Sequence, residues 1–133
     1  MKLTTDAFAA WLDAYKAAWE DQDSDRITSL FTEDAIYRET PFDEPMTGRD
    51  AIRDYWITGA VSAQDDITFG YDILAVTGNI GLCRWTARFK RIATGETIML
   101  DGIFRCVYSP DGADDVDGPV CAMFEEWWHR RVE

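Results

Sequence analysis

Most of the first 66 residues place apolar positions with the period of an α-helix. In "TTDAFAAWLDAYKAAWEDQD" they recur three and four positions apart, which predicts a helix with one buried face and a cap at Thr4 or Thr5. A second short helix is predicted after "DQDSD", capped by Ser24, and a short strand at "TEDAIYRE". A third helix is predicted over "TGRDAIRDYWITGAV", where Thr47 and Asp50 have the spacing of a capping box.

From residue 67 the apolar period changes to two, which is typical of β-strands. The four predicted strands are "ITFGYDILAV", "IGLCRWTARFKRI", "ETIMLDGIFRCVY" and "PVCAMFEEWWHRR". Glycine-containing segments separate them, so an antiparallel meander is expected. Helices first and strands afterwards predict an α+β fold, with the helices packed across one face of a bent sheet.

The alternation within the strands predicts which side chains face away from the helices. In "RWTARFKR", Trp85 and Phe89 point one way, so one face of the sheet should be dry and the other wet or paired. The predicted outward residues are Arg84, Thr86, Arg88, Asp101, Ile103, Arg105 and Val107. This surface mixes both charge signs with β-branched residues, which suits self-complementary pairing, so a homodimer through it is predicted.

Composition and charge restrict the partners. A chain of 133 residues with 47% hydrophobic residues fits one domain, 1–133, and no stretch approaches the roughly 20 apolar residues of a membrane span. The formal net charge of -12 would repel nucleic acids and anionic membranes, so a small neutral or apolar partner is expected. The first residues contain no apolar run with a cleavage site, which predicts a cytoplasmic location.

Metal, redox and cofactor chemistry find little support in the residue pattern. Cys83, Cys106 and Cys121 form no C-x-x-C pair, and each lies among apolar residues in a strand-like run, so buried reduced thiols are expected. One histidine with scattered carboxylates does not make a metal site. "DGADDVDGP" lacks the glutamate that closes a calcium loop, which favours a solvated hairpin loop. No cofactor is expected.

The segment "LFTEDAIYRETPFDEPMTGRDAI", the strand meander and the closing "EEWWHRR" together resemble the SnoaL-like branch of the nuclear transport factor 2-like superfamily. The resemblance covers nearly the entire chain. It implies a cone-shaped fold in which helices close the concave side of a curved, mostly antiparallel sheet and leave a mostly apolar pocket. Members include isomerases, cyclases, dehydratases and proteins without chemistry, so the fold is better specified than the function.

Similarity to ketosteroid isomerase within this superfamily implies a catalytic pair. If the two chains are matched at "GRDAI", no gap is needed back to the first helix. Glu39 then occupies the position of the general base, and Tyr15 that of a hydroxyl donor to the enolate oxygen. Phe104 occupies the position of the second donor, while Asp101 should face the other way. The loss of that donor argues against the isomerase reaction itself.

The concave face of such a cone is expected to bind the ligand. The residues predicted to line it are Trp56, Trp85, Phe89, Phe104, Met123, Trp127 and His129. His129 shares a predicted face with Trp127 at the pocket mouth and could act as an acid or base near neutral pH. Simpler alternatives stay open, because Tyr15 could be a core residue, Glu39 a solvated carboxylate at a strand end, and His129 a surface residue.

Two classes of function follow from these residues. The first is a small acid/base enzyme, an isomerase, cyclase or hydratase, acting on an apolar or carbonyl-bearing molecule. The second is a non-catalytic ligand-binding or dimeric adaptor domain. The polarity inside the cone discriminates between them, because convergent Glu39 and Tyr15 favour chemistry and a filled apolar interior favours a scaffold.

Overall fold

The computed structural model describes residues 2–109 and 118–133, in which the helices come first. Helix α1 spans Thr5–Glu20, α2 spans Ser24–Ser29, and α3 spans Arg49–Trp56 and continues into a π-helical turn at Ile57–Val61. Within these described parts, no helix has the length and apolar character to cross a bilayer. The predicted solvated loop "DGADDVDGP" lies outside the described residues except for its last two positions.

Six strands of the described residues form a single curved sheet. They are β1 Phe31–Arg38, β2 Met46–Thr47, β3 Gln64–Thr77, β4 Ile80–Arg91, β5 Thr97–Tyr108 and β6 Cys121–Val132. Their order is β2-β1-β6-β5-β4-β3, and every neighbouring pair is antiparallel except β1 with β6. The predicted α+β fold, with three N-terminal helices and a four-stranded meander, is confirmed.

The three helices begin differently, two with a side-chain cap and one without. The Thr4 side chain accepts a hydrogen bond from the first turn of α1, as predicted. The cap of α2 is Asp23 rather than Ser24, which is the first helical residue. Helix α3 starts after Gly48, whose φ of 88° lies in the left-handed region, and it has no side-chain cap. The predicted capping box that begins at Thr47 is therefore wrong.

A β-bulge in β6 decides which side chains of that strand face the helices. Val107 pairs with Met123 but Tyr108 pairs with Cys121, so Ala122 is an extra residue in β6. Because successive side chains alternate between faces, one extra residue moves all later side chains to the opposite face. After the bulge, the inward residues with core or cavity contacts are Phe124, Glu126, Trp128 and Arg130.

Aromatic side chains close the end of the fold where α1 meets β1 and β6. The Trp11 ring stacks on Tyr15 with 5.5 Å between centroids, and its indole N–H donates to the Leu30 carbonyl oxygen at 3.0 Å. Phe31 and Phe124 pack against the same indole, with centroids 5.7 and 6.0 Å away. This end is filled, so any ligand space must lie further along the sheet.

The three cysteines contribute to the apolar interior. Cys83, Cys106 and Cys121 are all buried free thiols, which confirms the sequence prediction. Burial raises the pKa of Cys83 to about 12, and burial likewise raises the pKa of Cys106. Protonated thiols of this kind are weak nucleophiles and pack as small hydrophobic groups.

Candidate functional site

A cavity of about 340 Å³ lies between the helices and the inner face of the sheet. Helices α1 and α3 with the π-helical turn line one side, and the end of β1 with strands β4, β5 and β6 lines the other. Most of the wall is aromatic or aliphatic. The polar groups that bear on chemistry are Tyr15, Tyr37, Tyr55, Glu39, Glu126, Arg91 and Arg130.

Five of the predicted site residues line this cavity, namely Tyr15, Glu39, Trp56, Trp85 and Phe89. Phe104 is on the inner face as expected, but it does not line the cavity. Its ring stacks on Trp85 with 4.7 Å between centroids and is fully buried beneath it. Phe104 is therefore part of the core that supports the wall.

The predicted pocket positions of Met123, Trp127 and His129 are wrong. Strict alternation from Cys121 sends these three side chains inward, but the bulge at Ala122 reverses the phase of the strand. Trp127 and His129 lie instead beside Arg84 and Asp101, on the face of the sheet away from the helices. His129 has an exposed side chain, in accord with the simpler alternative for that residue.

Glu39 lies directly after β1, where the chain leaves the sheet and turns at the cavity. Its side chain is only partly exposed. Burial raises the pKa of Glu39, the hydrogen bond with the Tyr55 hydroxyl lowers it, and the charge of Asp43 adds to the rise. The preceding Arg38 points away and approaches Glu125 at 3.9 Å. Glu39 is thus a partly desolvated carboxylate with a hydroxyl partner and without a cationic partner in its own strand.

Glu126, on β6, is the second carboxyl group in the cavity wall, and sequence reasoning missed it. The residue is 7% exposed, and the Tyr37 hydroxyl donates to its Oε2 at 2.9 Å. Burial raises the pKa of Glu126 to about 8; the Tyr37 hydrogen bond lowers it and the Glu39 charge raises it further. Glu126 is therefore mainly a neutral carboxylic acid at pH 7, able to donate a proton or a hydrogen bond.

The position of Glu126 bears directly on the donor that Phe104 lacks. In the β5–β6 ladder Phe104 and Glu126 are direct partners, so their side chains project from the same face of adjacent strands. The acidic group expected on β5 is absent, but a protonated carboxyl group is present one strand away. The objection to the isomerase reaction that the sequence raised at Phe104 is thereby weakened.

Tyr15 connects to Glu126 through a second tyrosine. The Tyr15 and Tyr37 hydroxyl oxygens are 3.4 Å apart, and Tyr37 in turn bonds to Glu126. Burial raises the pKa of Tyr15 well above its usual value, and the Glu126 charge adds to this. Tyr15 therefore stays a neutral hydroxyl donor, and its long bond to Tyr37 is weak enough to be exchanged for a ligand oxygen.

Two signals in the sequence point to the missed residues. Glu126 stands two positions from both Phe124 and Trp128, so a carboxyl group shares the face of two large aromatic residues. Arg91 continues the inward series that contains Phe89. Tyr55, in contrast, stands beside Trp56 on the apolar side of α3, and nothing in its spacing indicates a carboxylate partner. Among the described residues, no three histidine, cysteine or carboxylate groups cluster as a metal site would require.

Residues 12–113 match the family model described as the SnoaL-like domain. No curated protein sequence matches the chain. Among solved structures, it is similar to the epoxide hydrolase/cyclase-like enzyme SalBIII, which has a role in pyran ring formation in the polyether salinomycin. That likeness has a TM-score of 0.77 at 18% identity and covers 94% of this chain and 95% of the other.

Two further structures show the same fold at low identity. A hexachlorocyclohexane dehydrochlorinase, LinA type 2, has a TM-score of 0.75 at 10% identity, covering 96% of this chain and 86% of that one. A ketosteroid isomerase-like protein from Erwinia carotovora atroseptica has a TM-score of 0.67 at 15% identity, covering 89% and 90%. At these identities the likeness establishes the fold and leaves the reaction open.

Proposed function

Because the chain belongs to the SnoaL-like domain family, we propose that it is a small acid/base enzyme acting on an apolar, carbonyl-bearing molecule, in the isomerase, cyclase or hydratase class. Glu39 is the general base and Tyr15 a hydrogen-bond donor. One observation carries this proposal: two carboxyl groups, the buried Glu126 and the partly exposed Glu39, face one cavity. Burial raises the pKa of Glu126 to about 8, whereas the hydrogen bond with the Tyr55 hydroxyl opposes the rise in the pKa of Glu39. Such a pair is what acid/base catalysis at a single pH requires.

The step common to these reactions is removal of a proton beside a carbonyl group. The Glu39 carboxylate takes the proton, the C–H electron pair forms the enolate double bond, and the carbonyl pair moves onto oxygen. Tyr15 and the neutral Glu126 donate hydrogen bonds to that oxygen as it gains charge. Glu39 then returns the proton to the same or another carbon, which restores the carboxylate.

Deuterium exchange tests this step without knowledge of the natural substrate. The methyl ketone 2-acetylnaphthalene is incubated with the protein in D2O, and NMR follows loss of the acetyl methyl proton signal. We expect exchange above the buffer rate, and a Glu39→Gln rate about 100-fold lower with nearly unchanged ketone affinity and melting temperature. Glu44→Gln, an exposed carboxylate in the same loop, is the matched control. Equal rates for wild type and Glu39→Gln would refute the role of Glu39.

Non-catalytic ligand binding is the second candidate. The predominance of aromatic side chains in the cavity wall favours it, because such walls bind apolar molecules without chemistry. Saturable binding of the ketone with exchange no faster than in buffer would make this the better description.

We also propose a homodimer through the outer face of the sheet. This outer face comprises Arg84, Thr86, Arg88, Asp101, Ile103, Arg105, Val107, Met123, Glu125, Trp127 and His129. Its centre carries an indole that is 42% exposed, Trp127, beside the ion pair of Arg84 with Asp101. An exposed aromatic residue among charges of both signs supports self-association. The single domain, the cytoplasmic location, and the absence of cofactors, nucleic-acid partners and membrane partners stay predictions.

A further inference from the structure

Two arginines that line the cavity lack partners in the described part of the chain. The guanidinium groups of Arg91 and Arg130 make no ion pair or hydrogen bond with the described residues. Every other arginine makes at least one, namely Arg26, Arg38, Arg49, Arg53, Arg84, Arg88, Arg105 and Arg131. In a chain with a net charge of -12, two unpaired arginines at one cavity form a local positive site.

The strand register gives the order of these groups. On the inner face of β6 the sequence from the filled end outward is Glu126, Trp128, Arg130. At about 3.3 Å per residue, the Cα of Arg130 lies roughly 13 Å from that of Glu126. On β4 the cavity residues run outward from Trp85 through Phe89 to Arg91. The carboxyl group of Glu126 and the ring of Trp85 are thus deep, and the cationic groups are near the mouth.

We propose that the ligand of this cavity is a small organic acid with an apolar body that packs against the aromatic wall and a carboxylate at Arg91 and Arg130. Guanidinium groups bind carboxylates through paired, charge-assisted hydrogen bonds. The Glu39 charge inside the cavity repels a second carboxylate, which orients the acid with its charged end outward. The inference rests on the proposed function only in taking this cavity as the ligand site.

A matched pair of probes tests the anionic end. Isothermal titration calorimetry would compare 6-acetyl-2-naphthoate with the neutral 6-acetyl-2-naphthamide, which has nearly the same shape. We expect the acid to bind at least 10-fold more tightly to the wild type. In the double variant Arg91→Gln, Arg130→Gln, that preference should fall to about 1. The control double variant Lys90→Gln, Arg131→Gln changes the neighbouring cations on the opposite face of the same strands and should keep the preference.

Equal binding of acid and amide, a preference that survives loss of both arginines, or no measurable binding of the acid would overturn the proposal.

These experiments can refute the proposed ligand class and the proposed catalysis independently of each other. The calorimetric preference does not depend on turnover, whereas deuterium exchange at the acetyl group depends on Glu39. Tight acid binding without exchange would support the ligand class and contradict the enzymatic proposal. Deuterium exchange together with equal affinities for the acid and the amide would support the enzymatic proposal and contradict the ligand class.

Discussion

The two faces of strand β6 carry the same residue types in different surroundings. The sequence "EEWW" places Glu126 and Trp128 on the cavity side and Glu125 and Trp127 on the outer face. Glu125 forms an ion pair with Arg105 at 2.9 Å, while Glu126 is buried against the Tyr37 hydroxyl. Trp128 donates to a backbone oxygen, while Trp127 is 42% exposed. Residue type alone therefore does not assign a role here, and the face of the strand does.

The contrast also separates stability from chemistry. A charged glutamate beside arginine is stable in solvent, whereas a glutamate in an aromatic cavity keeps its proton at a cost to the folded state. Nothing in the packing requires a carboxyl group at position 126, since an amide would fill similar space. Retaining an acid there is typical of sites where stability is lost in favour of function.

The largest expected difference between the faces is in the pH dependence of stability. Unfolded Glu126 ionises near pH 4.5, whereas the folded protein holds that proton to about pH 8. As the pH rises from 4.5 to 8, the unfolding free energy of the wild type therefore decreases relative to that of Glu126→Gln, by up to about 1.4 kcal/mol per pH unit. Urea unfolding of both proteins at pH 5, 6, 7 and 8 measures this decrease. Below pH 4.5 and above pH 8 the difference between the two proteins should be constant.

Glu125→Gln is the matched control for that experiment. It removes a partly exposed ion pair, so we expect a loss of at most about 1 kcal/mol. Parallel pH profiles for wild type and Glu126→Gln would show that Glu126 is ionised in the folded protein, and the neutral acid assigned to the cavity would then be wrong.

A smaller difference is expected from the exposed tryptophan. Trp127→Glu puts a charge at the centre of the proposed dimer interface, which should raise the dimer dissociation constant about 30-fold, equivalent to about 2 kcal/mol. Light scattering at micromolar concentration measures the mass, starting from a 15.2 kDa chain. Ile57→Glu, which introduces the same charge on the helical side, should leave the mass unchanged. A monomeric wild type would remove the dimer proposal.

The smallest difference between the two faces concerns the indole N–H groups of Trp128 and Trp127. Trp128→Phe removes the bond from Nε1 to the Glu39 carbonyl oxygen, so it should lower the unfolding free energy by about 1 kcal/mol more than Trp127→Phe. Chemical denaturation of both variants at one pH provides the comparison. Equal losses would indicate that this bond does not help to hold the β1 end in place.

The sequence predicted the elements better than it predicted the faces of the last strand. Helical and strand periods gave three helices and a meander, because periodic apolar spacing reflects a buried face directly. The positions of Trp85 and Phe89 followed from alternation in an unbroken strand. Alternation failed for Met123, Trp127 and His129 because the bulge at Ala122 is set by pairing with β5, and no local residue pattern requires it.

What the sequence determined by itself is the architecture: which segments are helical, which pair as a meander, and that one sheet face is apolar. It also placed Tyr15 and Glu39 on the cavity wall through the family resemblance. The tertiary structure alone decided that Glu126 joins them and that two arginines there have no partner among the described residues. The physical reason is that protonation and hydrogen-bond satisfaction depend on neighbours from distant parts of the chain, whereas secondary structure depends largely on nearby residues.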